Sequence, residues 1–202
     1  MCIRGYGPFV ADAIGALSDP FMFLDIGANV GLFSLLAARN PNCVSVIAFE
    51  PVAETFSNLQ RNIAYNGADG IRPILGAITG RDGPVVYITY SRRHSGMSKI
   101  IAGVDGVRTA PVVNVGRLDE LIPRPGPGIV AKIDVEEAEI DVLSVLRQTH
   151  FDARVREIII EISFDNLGQA GREELLAMLA QDGFEERSRA GPPDHYDAVY
   201  RR

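Results

Sequence analysis

An apolar run, Phe21, Met22, Phe23, Leu24 and Ile26, broken only by Asp25, is the strongest pattern in the chain. It predicts a strand buried on both faces, after which Leu32, Phe33, Leu35, Leu36 and Ala37 recur at helical spacing. Upstream, Phe9, Val10, Ala13, Ile14 and Leu17 predict a short amphipathic helix over residues 8–18 that covers the sheet. Downstream, Val44 to Glu50 reads as a second strand. The segment from Ala53 to Asn66 reads as a helix, with Phe56, Leu59, Ile63 and the stem of Tyr65 on its apolar side and Gly67 as its C-cap. Ile71 to Thr79 predicts a third strand, with Asp82-Gly83 as a hairpin-type turn into Val85 to Tyr90. The pattern then loosens from Ser91 to Gly128, leaving a helical turn at Leu118 to Leu121 and a rigid linker at Pro123 to Gly128. It resumes with a strand at Ile129 to Asp134, a helix from Val135 to Leu146 and a strand from Val155 to Ile162. A helix from Gly171 to Gly183 and an antiparallel closing pair, Phe184 to Arg189 and Tyr196 to Arg201, complete it. Strands alternating with helices predict an α/β domain over 21–202, with residues 1–20 as a helical segment laid on the sheet.

Between the first strand and its helix lies Gly27-Ala28-Asn29-Val30-Gly31. Ligands of open α/β sheets bind beyond the carboxyl ends of the strands, so Asp25, Gly27, Ala28, Asn29 and Gly31 are the first candidates for a ligand. A dinucleotide fingerprint needs G-x-G-x-x-G/A, and this turn fails at the second and third glycines. A turn of form D-x-G-x-N-x-G with a carboxylate closing the next strand resembles instead the first motif of S-adenosylmethionine-dependent methyltransferases. Glu50, followed by Pro51, supplies that carboxylate, which can accept both ribose hydroxyls. Adenine would sit near the end of the third strand, with Ala77 and Ile78 as wall residues or as buried core.

Bulk properties narrow the class. The 202 residues suffice for one α/β domain with a buried sheet. A formal net charge of −6 gives no general attraction to nucleic acid. Cys2 and Cys43 form neither a disulfide framework nor a metal knuckle, which fits reduced thiols in a cytoplasmic protein. No apolar run is long enough for a membrane span or a signal peptide.

Asp134, Glu136, Glu137, Glu139 and Asp141 crowd what reads as the first turn of one helix. The helix dipole accounts for some of them, but like charges so close repel, and a cationic partner would relieve them, a sulfonium-plus-ammonium cofactor being one such partner. Arg92, Arg93 and His94 lie in the loosened segment, where they can hold an anionic group of an acceptor or simply face solvent.

The order LDIGANVG, AFEP, a helix ending N-x-x-x-N, a Gly-Met-Ser loop, GRLDEL, KIDVEEAEIDVL and REIIIEI resembles the FkbM family of class I methyltransferases from about Phe21 to Ile162. The resemblance implies a Rossmann-like doubly wound sheet of about seven strands, mostly parallel, with an antiparallel C-terminal edge hairpin. It also implies S-adenosyl-L-methionine as cofactor and methyl transfer to a hydroxyl of a sugar, glycolipid or natural product. Gly27, Asn29, Gly31 and Glu50 become cofactor residues by the same resemblance, with Asp134 and Glu136 beside the methyl group. The family has glycine where this chain has Glu137, a departure that bears on the acceptor side if that position needs a positive φ.

A hydroxyl acceptor needs a base. Asp134, Glu136, Glu161 and His94 are the candidates, with Asp134 and Glu136 preferred, His94 third, and His195 assigned to structure. A magnesium site built from Asp134 with Asp165-Asn166 is weighed and set aside, because its spacing is off. A catalytically inactive module of the same fold and a nucleotide-binding oxidoreductase are the competing classes.

Overall fold

A computed structural model describes residues 7–89, 100–101 and 108–202. In chain order the elements are α1 (Pro8–Gly15), β1 (Phe21–Ile26), α2 (Leu32–Arg39), β2 (Cys43–Glu50), α3 (Ala53–Tyr65), β3 (Ile71–Leu75), β4 (Ala77–Ile78) and β5 (Val85–Ile88). There follow β6 (Ile100–Ile101), β7 (Arg108–Val113), α4 (Val115–Leu121), β8 (Gly128–Ile133), α5 (Glu139–Leu146), β9 (Val155–Ser163), α6 (Phe164–Gln181), β10 (Glu185–Ala190) and β11 (His195–Arg201).

Seven strands form the main sheet in the order β10-β11-β9-β8-β1-β2-β3. The five from β9 to β3 run parallel, and β11 lies antiparallel against β9, so the closing hairpin sits at the edge as its sequence implies. Period-two alternation divides the core between two layers. Met22, Leu24 and Ile26 join Ile129, Ala131 and Ile133 in the core built with α4, α5 and α6. Phe21 and Phe23 face the other way, packing with Val46, Ala48 and Val130 against residues of α1, α2 and α3. All six residues of β1 are buried, which explains why its sequence shows no alternation of polarity.

β1 lies between β2 and β8, so the connections out of its neighbourhood run in opposite directions along the sheet. That is the topological switch point, where the chain leaves a crevice at the strand ends. Asp25 pairs in register with Lys132 there, and Ile26 with Ile133.

Several expectations need correction. The third strand is not continuous. Gly76 stands at the break, where close packing requires glycine: a Cβ would stand 2.6 Å from Val113 Cγ2 and 3.0 Å from the carbonyl oxygen of Pro111. The chain leaves the main sheet at that point and opens a second one, ordered β4-β7-β5-β6. The predicted hairpin across Asp82-Gly83 is absent, since β4 and β5 both pair with β7, the first parallel and the second antiparallel. β7 itself falls in the stretch whose pattern had loosened: Pro111 interrupts its sequence, and only Ala110 and Val113 are fully buried. α5 begins at Glu139, four positions later than expected. Tyr65 turns away from the core and is 93% exposed. His94, Arg92, Arg93 and Cys2 lie outside the described residues, as do the side chains of Asp165 and Asn166.

Candidate active site

The turn after β1 is shaped by three positive φ angles, 80° at Gly27, 50° at Asn29 and 90° at Gly31. A Cβ on Gly27 would stand 1.9 Å from the carbonyl oxygen of Asp134, and one on Gly31 would stand 2.5 Å from Leu59 Cδ1. Asparagine tolerates the left-handed region between them better than other side-chain-bearing residues. The N–H groups of Gly27 and Ala28 donate to the carbonyl of Phe49 at 3.1 and 2.9 Å, tying the turn to the end of β2. Asn62 Nδ2 donates to the Val30 carbonyl at 2.8 Å, so the first asparagine of N-x-x-x-N braces the turn from α3.

Glu50 stands beside this turn, 5% exposed. Its Oε2 accepts the Asn29 N–H and its Oε1 accepts the Val52 N–H, each at 2.9 Å across or beside Pro51. Burial pushes its carboxyl up to about 7, against the opposing pull of those two N–H groups and of Lys132. Ala77 and Ile78 are both buried. Ala77 packs with Val52 in the core of the second sheet, while Ile78 packs into the core shared with α5. The N–H of Gly76 donates to the Glu50 backbone carbonyl at 3.1 Å and sets this junction next to Glu50.

Beneath the turn lies a buried ionic cluster. Asp25 is fully buried, accepts from Ser34 Oγ at 2.5 Å, and lies 3.2 Å from the Lys132 ammonium. Lys132 also donates to the Gly27 carbonyl at 3.1 Å, lies 3.1 Å from Asp134 Oδ2, and sits 5.2 Å from the centre of the Phe33 ring. Burial alone would lower this ammonium, but Asp134 and Asp25 outweigh it and hold Lys132 well above its ordinary value.

The crowded acids are thereby separated into different roles. The cationic partner is Lys132 of the chain itself, which the sequence reading overlooked. Asp134 pairs with it, and Asp141 accepts from Thr79 Oγ1 and, at 3.0 Å, from the Gly80 N–H, fastening α5 to the end of β4. Only Glu139 and Asp141 occupy the first turn of α5. Glu137 adopts a φ of 65°, so the position where the family has glycine does take the left-handed conformation here. Glu139 is buried with Oε2 unpartnered among the described residues. Burial pushes its carboxyl up to about 8, with Glu136, Glu161 and Asp134 adding to the effect.

A cavity of about 170 Å³ opens beside Asp134, with Lys132, Glu161 and Asp197 on its polar wall and Val10, Phe33 and Ile159 on its apolar one. Glu161 pairs in register with Asp197, and His195 Nε2 donates to Glu161 Oε1 at 2.9 Å. Lys132, Asp197 and His195 were not among the sequence-derived site residues. A lysine inside a strand buried on both faces was the available signal, since such a cation needs carboxylate partners. A second cavity, about 260 Å³, opens at the amino end of β2 around Arg39, Cys43, Asn66 and Asp69, at the other end of the strands. Burial pushes the Cys43 thiol up to about 11 and keeps it unreactive. Among the described residues no three histidine, cysteine or acidic side chains are grouped to hold a metal, and no helix is long and apolar enough to cross a membrane.

This sheet, with its glycine turn at the switch point, is a Rossmann-like methyltransferase fold. Solved structures share it, among them an rRNA methylase from Streptococcus thermophilus, with a TM-score of 0.58 at 11% identity over 100% of this chain and 99% of that one. Aeropyrum pernix fibrillarin, solved with natively bound S-adenosyl-L-methionine, has a TM-score of 0.53 at 12% identity over 95% of this chain and 73% of that one. The chain belongs to the FkbM methyltransferase domain family, whose profile matches residues 25–186, and it is a methyltransferase. Two curated relatives agree. Methyltransferase 1 of Beauveria bassiana is 28% identical over 206 residues, covering 90% of this chain and 80% of the relative. Methyltransferase sdnD of Sordaria araneosa is 28% identical over 218 residues, covering 92% and 82%.

Proposed function

We propose that this methyltransferase takes its methyl group from S-adenosyl-L-methionine and delivers it to a hydroxyl oxygen of a small acceptor, a sugar, glycolipid or natural product. One observation carries the reading: two backbone N–H groups fix Glu50 beside a turn that packs against Asp134 and Leu59 only because positions 27 and 31 are glycine. The residues present fit that cofactor. Each Glu50 oxygen accepts one backbone N–H and keeps a lone pair for a ribose hydroxyl. Asn29 Oδ1 is buried without a hydrogen-bond partner among the described residues, which is costly unless a ligand supplies a donor.

When bound, the cofactor supplies a methyl carbon already activated by a sulfonium. The chain's own residues orient the acceptor oxygen, exclude water and remove a proton. Asp134 and Glu136, at the exit of β8, are placed to position the acceptor, and the Lys132 ion pair fixes Asp134 against the turn. The acidic charge and the small cavity favour a small molecule over a polyanion. Production of S-adenosylhomocysteine with a panel of hydroxyl, amine and thiol acceptors tests the reading. Turnover confined to hydroxyl acceptors supports it, and turnover only with amine or thiol acceptors overturns it.

A further inference from the structure

We propose that Glu161, held by His195, is the general base that takes the proton from the acceptor hydroxyl, a role that rests on the methyl-transfer reading above. Glu161 stands near the carboxyl end of β9, and its side chain lines the same cavity as Asp134. Register places it beside Asp197 on one flank. On the other, Ile160 pairs with Ile133, so the next position faces Asp134. His195 occupies Oε1 of Glu161 at 2.9 Å, and among the described residues Oε2 has no hydrogen-bond partner.

Asp134 is less suited to the task. A proton placed on it would break the ion pair with Lys132, which also holds the cofactor turn through Gly27. The partner of Glu161 is His195, an exposed imidazole that can itself give up its charge and makes no contact with the cofactor turn. The surroundings of Glu161 also poise it: burial pushes the carboxyl up to about 7, Asp134 and Asp197 push the same way, and His195 pulls it back. Glu139, on α5, feels the charge of Glu161 in turn. Burial alone would lower His195, but the hydrogen bond and charge of Glu161 outweigh it and raise that ring above 6.5. A base ionising near neutral pH combines the right protonation state with a useful driving force.

The acceptor O–H bond breaks as the oxygen forms its bond to the methyl carbon, and the proton passes to Glu161 Oε2. The carbon–sulfur bond breaks with its electron pair on sulfur, leaving a neutral thioether. The proton on Glu161 Oε2 then leaves to solvent through the cavity that Glu161 lines, while His195 stays bonded at Oε1.

Two readouts on the full chain test the role. In the protein without cofactor, NMR titration of the 3 histidine rings, with His195 assigned by its loss in His195→Ala, should place His195 above its ordinary value. In the nearly isosteric Glu161→Gln that ring should fall back toward its ordinary value, because the charge that raises it is gone. With the best acceptor of the hydroxyl panel, the wild-type rate should rise with pH and level off above about 7. Glu161→Gln should bind S-adenosyl-L-methionine as wild type does and lose about 10²-fold or more of the plateau rate. His195→Ala should keep the acidic limb but move it to higher pH, because the group that pulls Glu161 down is gone. A merely structural pair would leave the limb in place. Wild-type plateau rates in Glu161→Gln, an unmoved limb in His195→Ala, or an ordinary His195 titration in both proteins would overturn the role alone. A wild type that binds no S-adenosyl-L-methionine would overturn the methyl-transfer reading, and this role with it.

Discussion

Gly27 lies so close to Asp134 that a Cβ on the glycine would stand 1.9 Å from the aspartate's carbonyl oxygen. The contact is backbone against backbone, across the switch point between β1 and β8, and neither strand can move aside without breaking the pairing of Asp25 with Lys132. Gly27→Ala should therefore cost about 3 kcal/mol or more, from overpacking added to a strained φ. Gly31→Ala meets only the flexible end of Leu59 and should cost about 1–2 kcal/mol. Urea unfolding of the two variants checks the order, and equal losses would contradict it.

Lys132→Met should destabilise the chain by about 3–5 kcal/mol, because it leaves Asp25 fully buried without its cation. The thermal midpoint reads this directly. An unchanged midpoint would show that Ser34 alone satisfies Asp25.

Glu139 gives the fold a pH dependence of definite sign. Its folded carboxyl is raised to about 8 against an ordinary 4.5, so between those values the folded state binds the extra proton. Its contribution is thus neutral below about 4.5, grows increasingly unfavourable as pH rises, and is complete above about 8. Glu139→Gln should stabilise at pH 8 by about 1 kcal/mol, or about 2–4 °C, and have little effect at pH 4.5. Thermal scans at the two pH values test it, and a gain that is larger in acid would contradict it.

Much of this was legible in the chain, for identifiable reasons. β1, β2, β8 and β9 are buried deeply enough to write continuous apolar runs, and the glycines of the turn are forced by close approach. The second sheet was not legible. β4 has two residues, β5 exposes alternate positions, and β7 contains Pro111, so no single stretch carries a strong pattern. The cavity wall was only partly legible, because Asp197 and His195 reach Glu161 through an antiparallel register that links residues 34 or more positions apart. The acids after β8 were visible as a group, but their division among Lys132, Thr79 and the buried interior depends on where α5 starts. Glu137 shows both sides: the resemblance leaves a positive φ and a close backbone approach as alternative reasons for glycine there, and the φ of 65° is visible only in the structure.

The central claim is that S-adenosyl-L-methionine binds across the Gly27–Gly31 turn with its ribose on Glu50, and calorimetric titration tests it most directly. Ribose donation favours the ionised carboxylate, so wild-type affinity should fall as pH drops below about 7, and binding near that pH should release protons. Glu50→Ala should bind about 1.5–3 kcal/mol more weakly at pH 8, with the fold retained by circular dichroism. Equal affinity in the folded variant and the wild type, or tighter binding of NAD than of S-adenosyl-L-methionine, would contradict the account.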